Sequence, residues 1–413
     1  SSSHSSPAPP GWDRPQSPRL VGVLLLVRML LTFRLAFGVV LCHGLRTATD
    51  ELPYPRAAVP AGAEAPVYVV STANLSHDDS VTLQTLVGVL ARRTPTIYTV
   101  DSSPSEPSPD DTTLFWLRQL EAQTSIEFRY ELLDDFSSLL AHFAPNVTGF
   151  VRYDPQSGST NAALIRVAAE SGAVIAVASN TTATHLVSLG VSMVADVSSS
   201  TPYDELQRGM AFLSRRVAVF QPDDGGKAHR LSDYSTFARA PVVEAPANGK
   251  SLEFQAVLAR LDPSRLNAAF GWGGDEHEWV AHCTRAGAVA HASDFASNLA
   301  FLANVPRPPS PPSPPSPSPP SPPSPLPSSS PSPPLRPVHT VAFITSDGDN
   351  IQLLQHTDFI DGNHYGSKAR GSIPVGWSYS PAMAELMPTL LEWCVDRPPL
   401  PSPLLPSPPL PSP

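Results

Sequence analysis

The sequence predicts an α/β protein whose amino-terminal half holds one or two small doubly wound subdomains. A β-branched run, VYVVS, occupies residues 67–71, and the SVTLQTLVGVLARR segment that follows at residues 80–93 has apolar residues at helical spacing. The same alternation of strand and helix patterns returns several times over residues 66–245. Alternation of this kind favours a mainly parallel sheet with helices packed on its faces.

Each further element is predicted from its apolar spacing and its flanking turn residues. Strands are expected at residues 96–100, 126–130, 149–153 and 173–178, and helices at residues 115–122, 132–143, 161–170 and 203–214. Residues 216–247 are less regular and predict an extended linker. Because no G-x-G-x-x-G motif follows a strand, no nucleotide-binding loop is predicted.

The first 46 residues are predicted to be a targeting segment. An apolar run at residues 20–41 follows two arginines and contains Arg28 and Arg34. The pattern is typical of a cleaved signal peptide or a signal anchor, and its Arg and Ser content also suits an organelle transit peptide. Arginines inside a membrane span are costly, which favours the cleaved signal. Three sequons support the secretory route, at Asn74, Asn146 and Asn180. We therefore expect a secreted or extracellular-matrix protein, with a signal-anchored membrane protein as the alternative.

Two segments are dominated by proline and serine, at residues 306–337 and 398–413, and they hold many of the 50 prolines. Proline at this density fixes φ and removes amide donors, so both segments are expected to be polyproline II without a packed core. The Ser-Pro-Pro repeats resemble hydroxyproline-rich cell-wall glycoproteins, which would suit matrix attachment. Translated intron or low-complexity sequence is the other interpretation.

The charge and the cysteines limit the possible partners. A net charge of −10 with a pI near 5.6 argues against nucleic acid, because phosphate binding relies on clusters of Lys and Arg. Cys283 and Cys394 could pair or remain free, and no disulfide is assigned. The histidines near Cys283 do not have zinc-site spacing. No metal or cofactor is predicted.

The most distinctive segment is VAFITSDGDN at residues 341–350. An apolar strand there runs into a turn that carries Asp347, Asp349 and Asn350 around Gly348. Catalytic groups often lie at such strand ends, although many Asp-Gly pairs simply form turns. An oxygen-rich Ca²⁺ site is disfavoured because the later ligands of an EF-hand are missing. The carboxylates are therefore candidate catalytic groups.

Three segments together resemble the GxGYxYP family of putative glycoside hydrolases. They are SDGDN at residues 346–350, RGSIPVGWSYSPAMAELMPTLLEW at residues 370–393, and AAFGWGGDEHEWV at residues 268–280, followed by Ser293, Asp294 and Asn298. The resemblance implies an α/β amino-terminal region at residues 66–245 and a β/α barrel at residues 251–305 and 338–395, interrupted by the proline-rich insert. The G-x-G-Y-x-Y-P motif itself is absent.

The barrel implied by this resemblance is incomplete. Strand patterns at residues 267–272, 286–290, 340–345 and 373–377 would supply four strands, whereas a TIM barrel has eight. The implied activity is hydrolysis of a glycan by a secreted glycoside hydrolase, and the truncated barrel implies an inactive form. A non-catalytic carbohydrate-binding or matrix protein with hydroxyproline-rich arms is the alternative. The expected partner is a carbohydrate or a cell-wall glycan, with membrane contact only through the amino-terminal anchor.

Glycosidic cleavage commonly needs an acid and a second carboxylate, and barrels place such groups after their strands. The candidate catalytic residues are Asp347, Asp349, Glu276 and Asp294. The candidate substrate-binding residues are Asn350, Trp272, Trp377 and Tyr379. Glu276 also fits the solvated start of a helix, and the aromatic residues also fit packing roles. Neither the acid and base assignment nor the choice between retention and inversion follows from the sequence.

Overall fold

The computed structural model describes residues 52–102, 111–222, 230–246, 248–306, 342–345, 350–355, 359–360, 364–367 and 369–396. The amino-terminal apolar run, the proline-rich tail and the carboxylates Asp347 and Asp349 lie outside these residues. So does the proline-rich insert, apart from Pro306. Within the described residues no helix is long and apolar enough to cross a bilayer.

The first sheet is parallel, with strand order β2-β1-β3. Its elements are β1 (Val67–Ser71), α1 (His77–Ala91), β2 (Ile97–Val100), α2 (Thr112–Gln123), β3 (Phe128–Arg129) and α3 (Phe136–Phe143). Every residue of β1 and β2 is buried, as expected for parallel strands covered on both faces. Asp111 directly precedes α2 and accepts a 2.9 Å hydrogen bond from the Leu114 amide, so it serves as the helix N-cap.

The second sheet is also parallel, with strand order β5-β4-β6. Its elements are β4 (Gly149–Arg152), α4 (Thr160–Ala169), β5 (Val174–Val177), α5 (Asn180–Ser188), β6 (Met193–Asp196) and α6 (Pro202–Gly209). Thr201 and Asp204 form a reciprocal capping box that starts α6. The edge strand β6 is largely exposed, whereas β5 is fully buried.

The third sheet contains four parallel strands in the order β10-β9-β7-β8. Its elements are β7 (Val217–Phe220), α7 (Ser232–Phe237), β8 (Val242–Val243), α8 (Leu252–Arg260), β9 (Asn267–Gly271), α9 (Glu276–Arg285), β10 (Ala288–Ala292) and α10 (Leu299–Leu302). The prediction of an extended linker at residues 216–247 is therefore wrong, because this segment contains two strands and a helix. All six residues of α7 are buried although four are polar, so its apolar pattern is weak.

Of the strands that the resemblance assigned to a barrel, β9 pairs with β10 and also with β7, which precedes the assigned range. The third sheet therefore contains strands from both sides of the expected boundary between residues 245 and 251. Of the later segments, Ile344 and Gly376 form an isolated parallel bridge. The α/β class with parallel sheets is confirmed. Strand periodicity identified β9 and β10 but could not specify their neighbours.

The carboxyl-terminal helices complete the described chain. They are α11 (Ile351–Gln355), α12 (Met383–Leu386) and α13 (Pro388–Asp396). Trp393 packs edge-on against Trp116 of α2, with ring centroids 5.3 Å apart. Cys283 and Cys394 are both free and buried, and burial raises the pKa of each thiol to about 12. A single cluster of buried apolar residues joins these helices to all three sheets.

Candidate functional site

Two adjoining cavities form a cleft beside the carboxyl ends of β1 and β2. Their volumes are about 240 and 190 Å³. Both cavities are lined by Asp101, Arg230 and Ser297. The larger cavity continues to α2 and α11, and the smaller one to the first turns of α1. Each is smaller than the pockets of about 300–1,000 Å³ that take drug-sized ligands, so each suits a ligand of monosaccharide size.

Asp101 follows β2 directly and is held at the junction of the two cavities. Its amide donates a 2.9 Å hydrogen bond to Thr113 Oγ1 in the first turn of α2. Its Oδ1 accepts from Thr72 Oγ1 at 3.3 Å, at the end of β1. These bonds fix the backbone of Asp101, and its side chain is 40% exposed.

Arg230 faces Asp101 across the cleft. Its Nη1 lies 3.4 Å from Asp101 Oδ2 and 3.2 Å from Ser297 Oγ. Within the described part of the chain, its Nε and Nη2 have no hydrogen-bond partner. A guanidinium has five N–H donors, so most of the donor capacity of Arg230 points to solvent or to a ligand.

The loop after β10 forms another wall of the cleft, and Asn298 connects this loop to β2 by hydrogen bonds. Asn298 is buried and has a left-handed φ of 57°. Its Oδ1 accepts from the Thr99 amide at 2.8 Å and from Thr99 Oγ1 at 2.9 Å, and its Nδ2 donates to the Thr99 carbonyl at 2.8 Å. Asparagine tolerates this backbone conformation better than most residues do. The bonds join the first and third sheets at their carboxyl ends.

Two glutamines of α11 hold the same loop from the opposite side. Gln352 Oε1 accepts from the Phe295 amide at 2.7 Å. Gln355 Oε1 accepts from the Ser297 amide at 2.9 Å, and its Nε2 donates to the Ser297 carbonyl at 3.2 Å. Trp116 Nε1 donates to the carbonyl of Gln355 at 3.3 Å. The cleft wall is therefore fixed by amide side chains before any ligand is present.

The predicted catalytic residues have different positions relative to this cleft. Asp294 is 8% exposed and directly precedes Phe295, which lines the larger cavity. Asp347 and Asp349 lie outside the described residues, which resume at Asn350. Asn350 Oδ1 accepts from the Leu353 amide at 3.4 Å, at the start of α11. The described chain thus brings Asp294 and Asn350 to segments that flank the cleft.

Glu276 is an exposed residue at the start of α9 and does not line the cleft. The N-cap of that helix is Asp275, whose Oδ1 accepts from the Glu278 amide at 2.9 Å. This is the geometry of a solvated helix start, where an acidic residue interacts favourably with the helix dipole. A catalytic role for Glu276 stays a prediction.

The three candidate aromatic residues pack in clusters away from the cleft lining. Trp272 lies 5.8 Å from Trp279 between ring centroids. Trp377 and Tyr379 surround Tyr365, at centroid distances of 5.0 and 6.3 Å. Burial raises the pKa of the Tyr379 hydroxyl. All three candidates are partly exposed, so a sugar-stacking role stays a prediction.

Sequence reasoning missed two charged residues that the structure places in the cleft. Asp101 satisfies the same criterion as Asp294, an acidic side chain just after a predicted strand, and that signal could have identified it. Arg230 lies in the segment interpreted as a linker, and no sequence signal pointed to it. Within the described ranges, no three His, Cys, Asp or Glu side chains converge as metal ligands.

Comparisons with known proteins agree with this architecture. A model of the first GxGYxYP amino-terminal domain matches residues 66–145, one of the GxGYxYP third domain matches residues 215–304, and one of the GxGYxYP putative glycoside hydrolase carboxyl-terminal domain matches residues 337–397. No curated protein matches.

A solved structure is also similar, the crystal structure of a putative hydrolase from Bacteroides thetaiotaomicron VPI-5482. The TM-score is 0.64 at 22% sequence identity, and the match covers 84% of this chain. The likeness shows a shared fold. This chain spans 64% of the length of that protein.

Proposed function

Because this chain belongs to the GxGYxYP putative glycoside hydrolase family, we propose that it acts on glycans and binds them in the cleft beside Asp101 and Arg230. The observation that carries the proposal is that four separate segments of the chain line one cleft. The ends of β1 and β2, the loop after β10 and the helix that follows the SDGDN segment all contribute to one cleft. Active sites of α/β proteins commonly lie at the carboxyl ends of parallel strands.

The proposed chemistry is hydrolysis of a glycosidic bond by two carboxyl groups. One protonates the leaving oxygen, and the other acts as nucleophile or activates water. Asp347 and Asp349 are the principal candidates, and Asp294 is the third. It directly precedes Phe295, which lines the larger cavity. The separation of the two groups decides between retention and inversion.

In the active protein, Asp347→Asn or Asp349→Asn should abolish glycan hydrolysis. Removal of a general acid or base lowers turnover by about 10²- to 10⁴-fold, and removal of a nucleophile by more. The melting temperature should stay close to that of the wild type. Reducing-sugar release from a panel of plant and bacterial glycans measures turnover, and Asp294→Asn tests the third candidate.

A suitable control is Glu127→Gln, because Glu127 is an exposed carboxylate that pairs with Arg129 outside the cleft lining. Its hydrolysis rate should equal that of the wild type. Full activity in both Asp347→Asn and Asp349→Asn would remove these residues from the mechanism. Glycan binding without hydrolysis would favour a non-catalytic carbohydrate-binding protein.

We also propose secretion with N-glycosylation. The sequon residues Asn74, Asn146 and Asn180 are all exposed, as N-glycosylated asparagines must be. Protein from its native cells should run faster on a gel after treatment with an N-glycosidase. The triple Asn→Gln variant should run at the lower position with or without the enzyme. Unchanged mobility together with a cytosolic or plastid location would contradict the proposal.

A further inference from the structure

We propose that Asp101 and Arg230 bind two neighbouring hydroxyl groups of a neutral hexose. This inference rests on the proposed action on glycans and defines both the sugar class and the residues that select it. The carboxylate and the guanidinium lie 3.4 Å apart and both face the junction of the two cavities. Neither residue belongs to the predicted set of catalytic carboxylates.

The unused hydrogen-bonding capacity of the pair supports this assignment. Both contacts of the Asp101 carboxylate, with Thr72 at 3.3 Å and with Arg230 at 3.4 Å, are long compared with a usual distance of about 2.9 Å. A carboxylate offers about four lone-pair positions, so Asp101 can accept further bonds. A sugar hydroxyl both donates and accepts. One hydroxyl can donate to Asp101 while its neighbour accepts from Arg230.

The charge of the lining favours a neutral sugar over an acidic one. Among the described residues that line the cavities, the Asp, Glu, Lys and Arg residues are Asp101 and Arg230, and their charges are opposite. The lining also includes His77, whose Nδ1 lies 3.7 Å from its neighbour Asp78. A uronate carboxylate bound by Arg230 would lie close to Asp101, because the two side chains are 3.4 Å apart, and like charges at short range repel. Neutral hydroxyl groups meet no such cost.

The walls around the pair suit a small, rigid ligand. Ser297 is held by Gln355 through two hydrogen bonds of 2.9 and 3.2 Å. Arg230 in turn donates a hydrogen bond to the Ser297 hydroxyl. Phe295 adds an apolar side to the larger cavity. Because these groups are already ordered, ligand binding costs little conformational entropy. The arrangement matches a preformed site with a few fixed polar groups.

The test is titration of the full 413-residue chain with D-glucose, D-galactose, D-mannose and D-glucuronate, followed by ligand-observed NMR. At least one neutral hexose should bind saturably and more tightly than glucuronate. Asp101→Asn and Arg230→Gln should each weaken that binding by at least about tenfold, the effect of losing a hydrogen bond to a charged group. Both variants should keep the wild-type melting temperature, because both side chains are about 40% exposed.

Glu127→Gln again serves as the matched control, since it alters an exposed ion pair outside the cleft lining. Wild-type affinity in both cleft variants, tighter binding of glucuronate, or no binding of any neutral hexose would each overturn the inference. The outcome is separable from that of the hydrolysis assay. If the Asp101→Asn variant hydrolyses glycans as well as the wild type does, the hydrolase proposal stands and the cleft assignment fails. If a hexose binds but no glycan is cleaved, the reverse holds.

Discussion

Replacement of Gly271 by alanine is expected to lower the free energy of unfolding by about 3 kcal/mol or more. Gly271 ends β9 with a φ of 106°, and a β-carbon there would lie 1.9 Å from the Phe220 carbonyl oxygen. That oxygen accepts the 3.1 Å hydrogen bond from the Trp272 amide, which continues the pairing of β7 and β9. The new methyl group would therefore force the strands apart at the end of the sheet that carries Trp272 and Ser293.

The matched control is Gly190→Ala. Gly190 also has a left-handed φ, of 84°, but no atom lies within 4 Å of the position that a β-carbon would take. The free energy of unfolding of this variant should fall only by the cost of holding alanine in a left-handed backbone conformation, on the order of 1 kcal/mol. Urea unfolding of both variants measures the difference. Equal losses would mean that β7 and β9 do not approach as closely as the structure indicates.

Two buried titratable groups should give opposite pH dependences that cancel in the wild type. Asp233 in α7 is completely buried, and desolvation raises its pKa to about 7 although the Ala300 amide donates to its Oδ2 at 3.0 Å. Between pH 4 and 7 the folded protein therefore holds a proton that the unfolded chain has released. The contribution of Asp233 to stability falls as the pH rises through this range.

His291 acts in the opposite direction. It is buried beside Tyr54, whose hydroxyl oxygen lies 3.1 Å from its Nε2, and desolvation lowers its pKa to about 4. Between pH 6.5 and 4 the unfolded chain binds a proton that the folded state excludes. The contribution of His291 therefore falls as the pH decreases. Each slope is at most about 1.4 kcal/mol per pH unit.

We therefore expect Asp233→Asn to lose stability as the pH falls from 6.5 to 4.5, by about 2 to 3 kcal/mol relative to the wild type. His291→Gln should instead gain stability over the same fall. Either substitution also removes a buried contact, so the slope is diagnostic and the absolute stability is not. Urea midpoints at pH 4.5, 5.5 and 6.5 give the slopes. Parallel curves for the wild type and both variants would show that neither group titrates as its burial implies.

Local sequence pattern predicted much of the fold, and it failed where tertiary contacts decide. The apolar runs of β1, α1 and β4 gave those elements to within a few residues. α7 was missed because its sequence, SDYSTF, is mostly polar, yet it is buried against α1 and α10. The pairing of β9 with β7 joins residues about 50 positions apart, and strand periodicity carries no information on such partners.

The site was predictable to the same extent. Asp294 and Asn298 follow β10 and were recognisable from the strand end and the family motif. The role of Asn298 in binding Thr99 depends on the approach of two sheets, which no local pattern encodes. Arg230 reaches Asp101 across 129 positions of sequence. Carboxylates at strand ends can thus be found from the sequence, whereas Arg230, the cationic residue that faces Asp101, can be identified only from the folded structure.

A crystal structure of the 413-residue chain soaked with the neutral hexose that binds best tests the central claim most directly. We predict electron density for one sugar in the cleft, with a hydroxyl about 2.7 Å from a carboxylate oxygen of Asp101 and a second within hydrogen-bond distance of Arg230. A sugar bound instead over Trp377 and Tyr379, with the cleft empty, would contradict the account.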